Sequence, residues 1–144
     1  TGELRATGNI TAYYSDERLK TVTENVKDVL NTLNNVDVFK YKRNDLAKSL
    51  GIKHTKQEIG LSAQQINKYY PEVVSIAPFD IQYDEKLEKN VSKSGKNYLT
   101  LNYERLVPIL LQGIKELNNK NIKLENQLKD MKQDIEDIKK YINK

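Results

Sequence analysis

Ser15 and Lys20 are the residues whose types and spacing could do chemistry together, and they bracket the stretch Ser15-Asp16-Glu17-Arg18-Leu19-Lys20. A serine hydroxyl is a weak nucleophile until a base takes its proton, and a lysine amine that has shed its own proton can be that base. On one continuous helix, residues five apart lie about 140° apart around the axis, so the two side chains would diverge. The pair can meet only if Ser15 stands just outside a helix, on a bent or extended lead, while Lys20 reaches back from the first turns. A plainer reading is a helix cap, in which the Ser15 oxygen accepts a first-turn N–H and Asp16 and Glu17 sit at the positive end of the dipole. Spacing alone leaves both open.

Several elements must hold that stretch. Residues 1–14 read as an extended lead-in punctuated by Gly2 and Gly8, with strand composition in Ile10-Thr11-Ala12-Tyr13-Tyr14. A helix is predicted over 16–33, where Leu19, Val22, Val26, Val29, Leu30 and Leu33 recur at 3–4 spacing before Asn34-Asn35 ends it. Alternation predicts a strand over 36–41, and 44–51 reads as a short capped helix stopped by Gly51. Beyond lie a strand over 58–61, a short helix over 62–70 closed by Pro71, and strands over 72–76 and 79–83 parted by Pro78. The charged stretch 84–96, with Ser92, Ser94 and Gly95, reads as a solvated hairpin loop. A last strand over 98–103 hands over to a C-terminal helix.

That helix carries a pattern of its own. Val107, Ile114, Asn121, Leu128, Ile135 and Ile142 are spaced by seven, and Leu110, Leu117, Leu124, Met131 and Ile138 interleave at the alternate step. This is an a/d seam over about five heptads with one polar member, Asn121. Lys120 at g can meet Glu125 at e of a parallel neighbour, and Asp134 can meet Lys139. Isoleucine at both a and d near the end favours three or four strands; Asn121 at a leans toward two. The fold class expected is therefore α+β: a small mixed helix/strand head, then a long C-terminal helix that forms a parallel coiled coil, whose strand number these positions leave open.

Composition agrees with association. Only 38% of the 144 residues are hydrophobic, below the ~45–50% of an ordinary globular chain. Such a chain can bury its apolar surface by pairing with copies of itself. The absence of Cys excludes disulfides and thiolate chemistry, and His54, the one histidine, has no partner of metal-ligand type near it, so neither metal nor cofactor is expected. No apolar run approaches the ~20 residues of a membrane span. The net charge of +4, from 24 basic and 20 acidic residues well mixed along the chain, describes a solvated surface and not a nucleic-acid stripe. The nine tyrosines fit half-buried sheet and interface positions better than a platform for bases.

Four stretches occur here in a telling order: SDERLK from Ser15, Glu58-Ile59-Gly60-Leu61-Ser62-Ala63-Gln64, Tyr70-Pro71-Glu72-Val73-Val74, and Leu101-Asn102-Tyr103 leading to Ile114-Lys115-Glu116-Leu117. Together they resemble the intramolecular chaperone auto-processing domain of phage tail-fibre, tailspike and neck-appendage proteins, the endosialidase-type C-terminal chaperone. The resemblance implies residues 1–14 as the end of an upstream fibre or appendage segment, 15–103 as the chaperone head, and 104–144 as the coiled-coil helix. It implies a homotrimer that helps the upstream part of the same polypeptide to fold, in the host cytoplasm during virion assembly, the upstream product ending in the virion tail or neck. It also implies a single-turnover serine peptidase that cuts itself between Tyr14 and Ser15, with Ser15 as nucleophile and Lys20 as general base and later proton donor, from the same or an adjacent chain. Ile114, Leu117, Asn121, Leu124, Leu128, Met131, Ile135, Ile138 and Ile142 would form the trimer seam. A related domain occurs in a membrane-bound transcription factor of animals. A module that trimerises or adapts without cutting, with Ser15 only a cap, is the competing class.

Overall fold

The computed structural model describes residue 7 and residues 14–143. The lead-in read over 1–14, with its strand over 10–14, lies outside the described residues apart from Thr7 and Tyr14. Asp16 opens a single 3-10 turn, Glu17–Leu19, and the chain then runs without helix through residues 20–28. Helix α1 is only Val29–Leu33. The helix expected over 16–33 is thus cut to its last five residues. Thr21, Val22, Thr23 and Val26 are β-branched and cost helix propensity. A helix that short on packing is marginal in water, and Leu19, Val22 and Val26 stay largely outside the core, being 66%, 67% and 46% exposed. Asp28, left-handed at φ 57° and ψ 33°, separates this stretch from α1. Of the expected stripe, Val29 enters the core and Leu33 packs against it.

The head follows as short pieces. Strand β1 (Val38–Tyr41) pairs antiparallel with β2 (Glu58–Leu61), and α2 (Asp45–Ser49) lies between them. Asn44 caps α2 by accepting from the Ala47 N–H at 2.9 Å, and Gly51 ends the segment at φ 86°, where a Cβ would strain the backbone. Helix α3 (Ala63–Ile66) follows β2, capped by Ser62, whose hydroxyl accepts from the Gln65 N–H. After a 3-10 turn at Pro71–Val73, β3 (Val74–Ile76) pairs antiparallel with the last strand, β6 (Leu99–Leu101). Between them β4 (Ile81–Asp84) pairs with β5 (Lys89–Ser92). The loop expected over 84–96 therefore holds a strand. Its turn is tied by the Asp84 carboxylate, which accepts from the Lys86 and Leu87 N–H groups at 2.9 and 3.0 Å.

Helix α4, Leu106–Ile142, is 37 residues long and so about 55 Å from end to end. Pro108 lies in its first turn, where a missing N–H costs nothing, and the helix runs on unbroken. Its first turns lie on the head. Leu106 and Ile109 join Val29, Ile66 and Val73 in the core, edged by Leu33, Val36, Leu61, Tyr70, Val74 and Leu101. Gly113 lets α1 approach: a Cβ there would come within 3.2 Å of Val29 Cγ1. Glu116, a turn further on, accepts the Leu30 N–H at 3.1 Å and so caps α1 across the interface. The seam residues face elsewhere; Ile114 and Leu128 are 64% and 55% exposed, and residues 117–143 are exposed throughout. The mixed α+β class with a head and a long C-terminal helix is what the sequence led one to expect.

Candidate functional site

Because the chain leaves the helical path after Leu19, Ser15 and Lys20 are not held on opposite faces of one helix. Asp16 caps the 3-10 turn by accepting from the Arg18 N–H at 2.9 Å, and the turn closes with Leu19 N–H to Asp16 O at 3.2 Å and Lys20 N–H to Glu17 O at 3.0 Å. Lys20 is itself extended, at φ −126° and ψ 140°. The turn thus brings its side chain back over Ser15. Lys20 Nζ lies 3.0 Å from Ser15 Oγ and 3.2 Å from the Ser15 carbonyl oxygen. As an ammonium it donates to both. Without one proton, its lone pair sits where the Oγ–H can be given up. The capping role open to Ser15 in the sequence has gone to Asp16, and the Ser15 hydroxyl is engaged by Lys20 instead.

Asp16 and Arg18 form a two-point pair beside this contact. Arg18 Nε donates to Oδ1 at 3.0 Å and Oδ2 at 3.2 Å, and its terminal nitrogen donates to Oδ2 at 2.6 Å. The Arg18 guanidinium holds the Asp16 carboxyl below the usual carboxylate range, its backbone N–H adds to this, and the Lys20 charge contributes last. The Arg18 guanidinium is committed to Asp16. Tyr14, Ser15 and Lys20 are all exposed in the single chain.

Two further polar centres were not singled out from the sequence as a unit. On the β1–β2 sheet, Glu58 Oε2 accepts from the Tyr41 hydroxyl at 2.7 Å and from Arg43, while His54 Nδ1 lies 3.3 Å from Oε1. Arg43 first and Tyr41 second hold the Glu58 carboxyl below its usual range, and the same bond pushes the Tyr41 phenol up. The one histidine therefore borders a structural ion pair, and the Arg43 guanidinium stacks 5.0 Å from the Tyr41 ring centre. The second centre is Asp80, 2% exposed between β3 and β4. It accepts from the Ser92 hydroxyl at 2.7 Å, the Ser94 N–H at 2.8 Å and the Tyr98 N–H at 3.1 Å. A Ser-x-Ser after a charged hairpin, with an Asp twelve residues upstream, was the only signal.

The IGLSAQ stretch proves to be architectural. Gly60 is buried where a Cβ would stand 3.0 Å from Tyr41 Cε1, which explains a glycine within a strand. Gln65, next after the stretch, bridges to the start of β1: its amide donates to Asp37 Oδ2 at 2.8 Å and its oxygen accepts the Asp37 N–H at 2.9 Å. Among the described residues, no helix is long and apolar enough to cross a membrane.

No curated protein matches the chain. A peptidase family described as chaperone of endosialidase does match by its model, over residues 15–75, somewhat under half of the chain. The matched segment begins at Ser15, spans the Ser15–Lys20 contact and IGLSAQ, and closes at β3. Residues 15–75 are thus similar to the chaperone-of-endosialidase family, the one to which SDERLK and IGLSAQ pointed.

Proposed function

We propose that the chain is a self-removing folding chaperone: three copies join through α4, assist the folding of an upstream fibre or appendage segment ending at residue 14, and then cut the Tyr14–Ser15 bond. The observation that carries this reading is the 3.0 Å contact between Lys20 Nζ and Ser15 Oγ at the first residue of the family match. Ser15 Oγ attacks the Tyr14 carbonyl carbon as Lys20 of the same chain takes the hydroxyl proton. The C–Oγ bond forms, the C–N bond to Ser15 breaks, and Lys20 passes its proton to the departing Ser15 nitrogen. Water then hydrolyses the ester to give a Tyr14 carboxylate and a free Ser15 hydroxyl. Each chain cuts once.

The pair is open to water in one chain, so the enclosure that lets Lys20 act as a base comes from neighbouring copies, and cutting waits for the trimer. Residues 15–103 act as the head and 104–144 as the tail. Gathering three shaft ends costs association entropy before any shaft contact forms. A trimer at the tail holds those ends at an effective concentration on the order of millimolar, which makes shaft assembly nearly intramolecular. The setting is the host cytoplasm during virion assembly.

The test is a longer precursor followed by denaturing gel and mass spectrometry. Wild type should yield a fragment whose N-terminus is Ser15, while Ser15→Ala and Lys20→Ala stay whole. A wild-type precursor that is trimeric by light scattering yet remains full-length would leave only a non-cutting trimerisation module.

A further inference from the structure

We propose that the Asp16–Arg18 pair is the positioning device of the Ser15–Lys20 site, a clamp that folds residues 15–20 into the turn that lays Lys20 over Ser15. This rests on the peptidase reading above and adds two residues to it.

A turn of three residues, Glu17–Leu19, closed by two backbone hydrogen bonds, has too short a ladder to hold itself, since nucleating a turn costs more than its few bonds return. Glu17, Arg18 and Leu19 are exposed, so the core does not hold it either. What remains is Asp16. One carboxylate oxygen takes the Arg18 backbone N–H at 2.9 Å, and the two oxygens together take the guanidinium through Nε and a terminal nitrogen. The side chain two residues ahead is thus locked to the same group that caps the turn. Lys20 follows immediately, and its Nζ reaches both Oγ and the carbonyl oxygen of Ser15. A lysine needs the clamp more than most bases, because its four-carbon stem has many rotamers to lose.

The clamp also settles a conflict of charge. Asp16 is near enough to sense the Lys20 ammonium. Unanswered, its carboxylate would draw Lys20 toward itself and away from Ser15. Arg18 answers it from within the turn, with a planar fork that a lysine cannot reproduce. The motif thus spends one cation on the acid and leaves the other for the hydroxyl.

The experiment follows the first-order rate of scission in the longer precursor for Asp16→Ala, Arg18→Ala, Asp16→Asn and Arg18→Lys, with oligomeric state read by light scattering. The alanine variants should still trimerise but cut on the order of 10- to 100-fold more slowly, the scale of a displaced catalytic group. Asp16→Asn keeps a capping oxygen, and Arg18→Lys keeps the charge but not the fork, so each should recover part of the rate. Alanine variants cutting within about twofold of wild type, beside inert Ser15→Ala and Lys20→Ala, would overturn the clamp and leave the peptidase reading standing. If an alanine variant fails to trimerise, Arg18→Lys decides, and full speed in that trimer overturns the clamp as well. Wild type that never cuts, or Ser15→Ala that does, overturns both.

Discussion

Asp80 carries a hairpin on one carboxylate. Burial alone would raise its pKa, but the bonds from Ser92, Ser94 and Tyr98 outweigh that and bring it down to about 2 from an ordinary 3.8. A group depressed in the folded state stabilises fully above its unfolded value, and the contribution is lost as pH falls from near 3.8 through about 2. In Asp80→Asn the amide must turn a donor toward Ser94 N–H or Tyr98 N–H, both themselves donors. The variant should melt lower near neutral pH, by on the order of 5 °C, and should show a shallower fall in melting temperature across pH 4 to 2. Circular dichroism melts over that range check both. An unchanged acid slope would mean that the loop 92–98 is held by something else. At Ser15 the same residue-scale logic disposes of the capping role, because the neighbouring Asp16 already takes the N–H that a capping serine would need.

Among the elements, α1 decides how residues 15–28 are tied to the rest. Its five residues are anchored by Val29 and Leu33 against Gly113, and by Glu116 accepting the Leu30 N–H. Gly113→Ala gains roughly 1 kcal/mol of helix propensity but brings a Cβ within 3.2 Å of Val29 Cγ1, so the two effects nearly cancel. Gly113→Leu has no such compensation. Overpacking there should cost about 1–3 kcal/mol, lower the melting temperature, and slow scission because residues 20–28 lose their downstream anchor. Thermal melts and the scission rate of the two variants test it; equal rates would show the turn at Ser15 to be independent of α1. The same contact explains what was legible in the sequence. The stripe from Leu19 to Leu33 has helical period, yet period reports only that apolar groups could share a face. It does not report whether the chain owns a surface to cover them, and the core takes in Val29 and Leu33 while Leu19 and Val22 stay exposed. Strand β5 was hidden for the opposite reason: Lys89-Asn90-Val91-Ser92 has one apolar member, and its pairing is set by the Asp84 turn and by Asp80. Capped helices such as α2 and strands with clear alternation such as β1 were readable because cap and pattern are local. The Ser15–Lys20 contact lay between these cases. Its residues were visible, but the non-helical path that joins them depends on a side-chain fork between Asp16 and Arg18.

For the whole molecule the deciding imbalance is between a small core and a long uncovered helix. Val29, Ile66, Val73, Leu106 and Ile109 make a core for the head, while α4 beyond Glu116 is exposed throughout its described residues. Helical stability in proteins comes mostly from packing an apolar face, and on the trimer reading proposed above the seam is buried against other copies. A carboxylate at a seam centre would sit opposite its own symmetry mates in a dry interface, where neither pairing nor water can answer it. Leu128→Asp should therefore run as a monomer at about 10 μM, where the wild type runs as a trimer, and light scattering distinguishes the two. Scission ties this to function. If neighbouring copies supply the enclosure around Ser15 and Lys20, Leu128→Asp leaves the local contact intact yet cuts at least about tenfold more slowly. Dilution of the wild type should do the same once trimers dissociate, turning a concentration-independent rate into one that falls steeply with dilution. A monomeric Leu128→Asp that cuts at the wild-type rate would place the whole reaction within one chain, and assembly would then have no part in timing the cut.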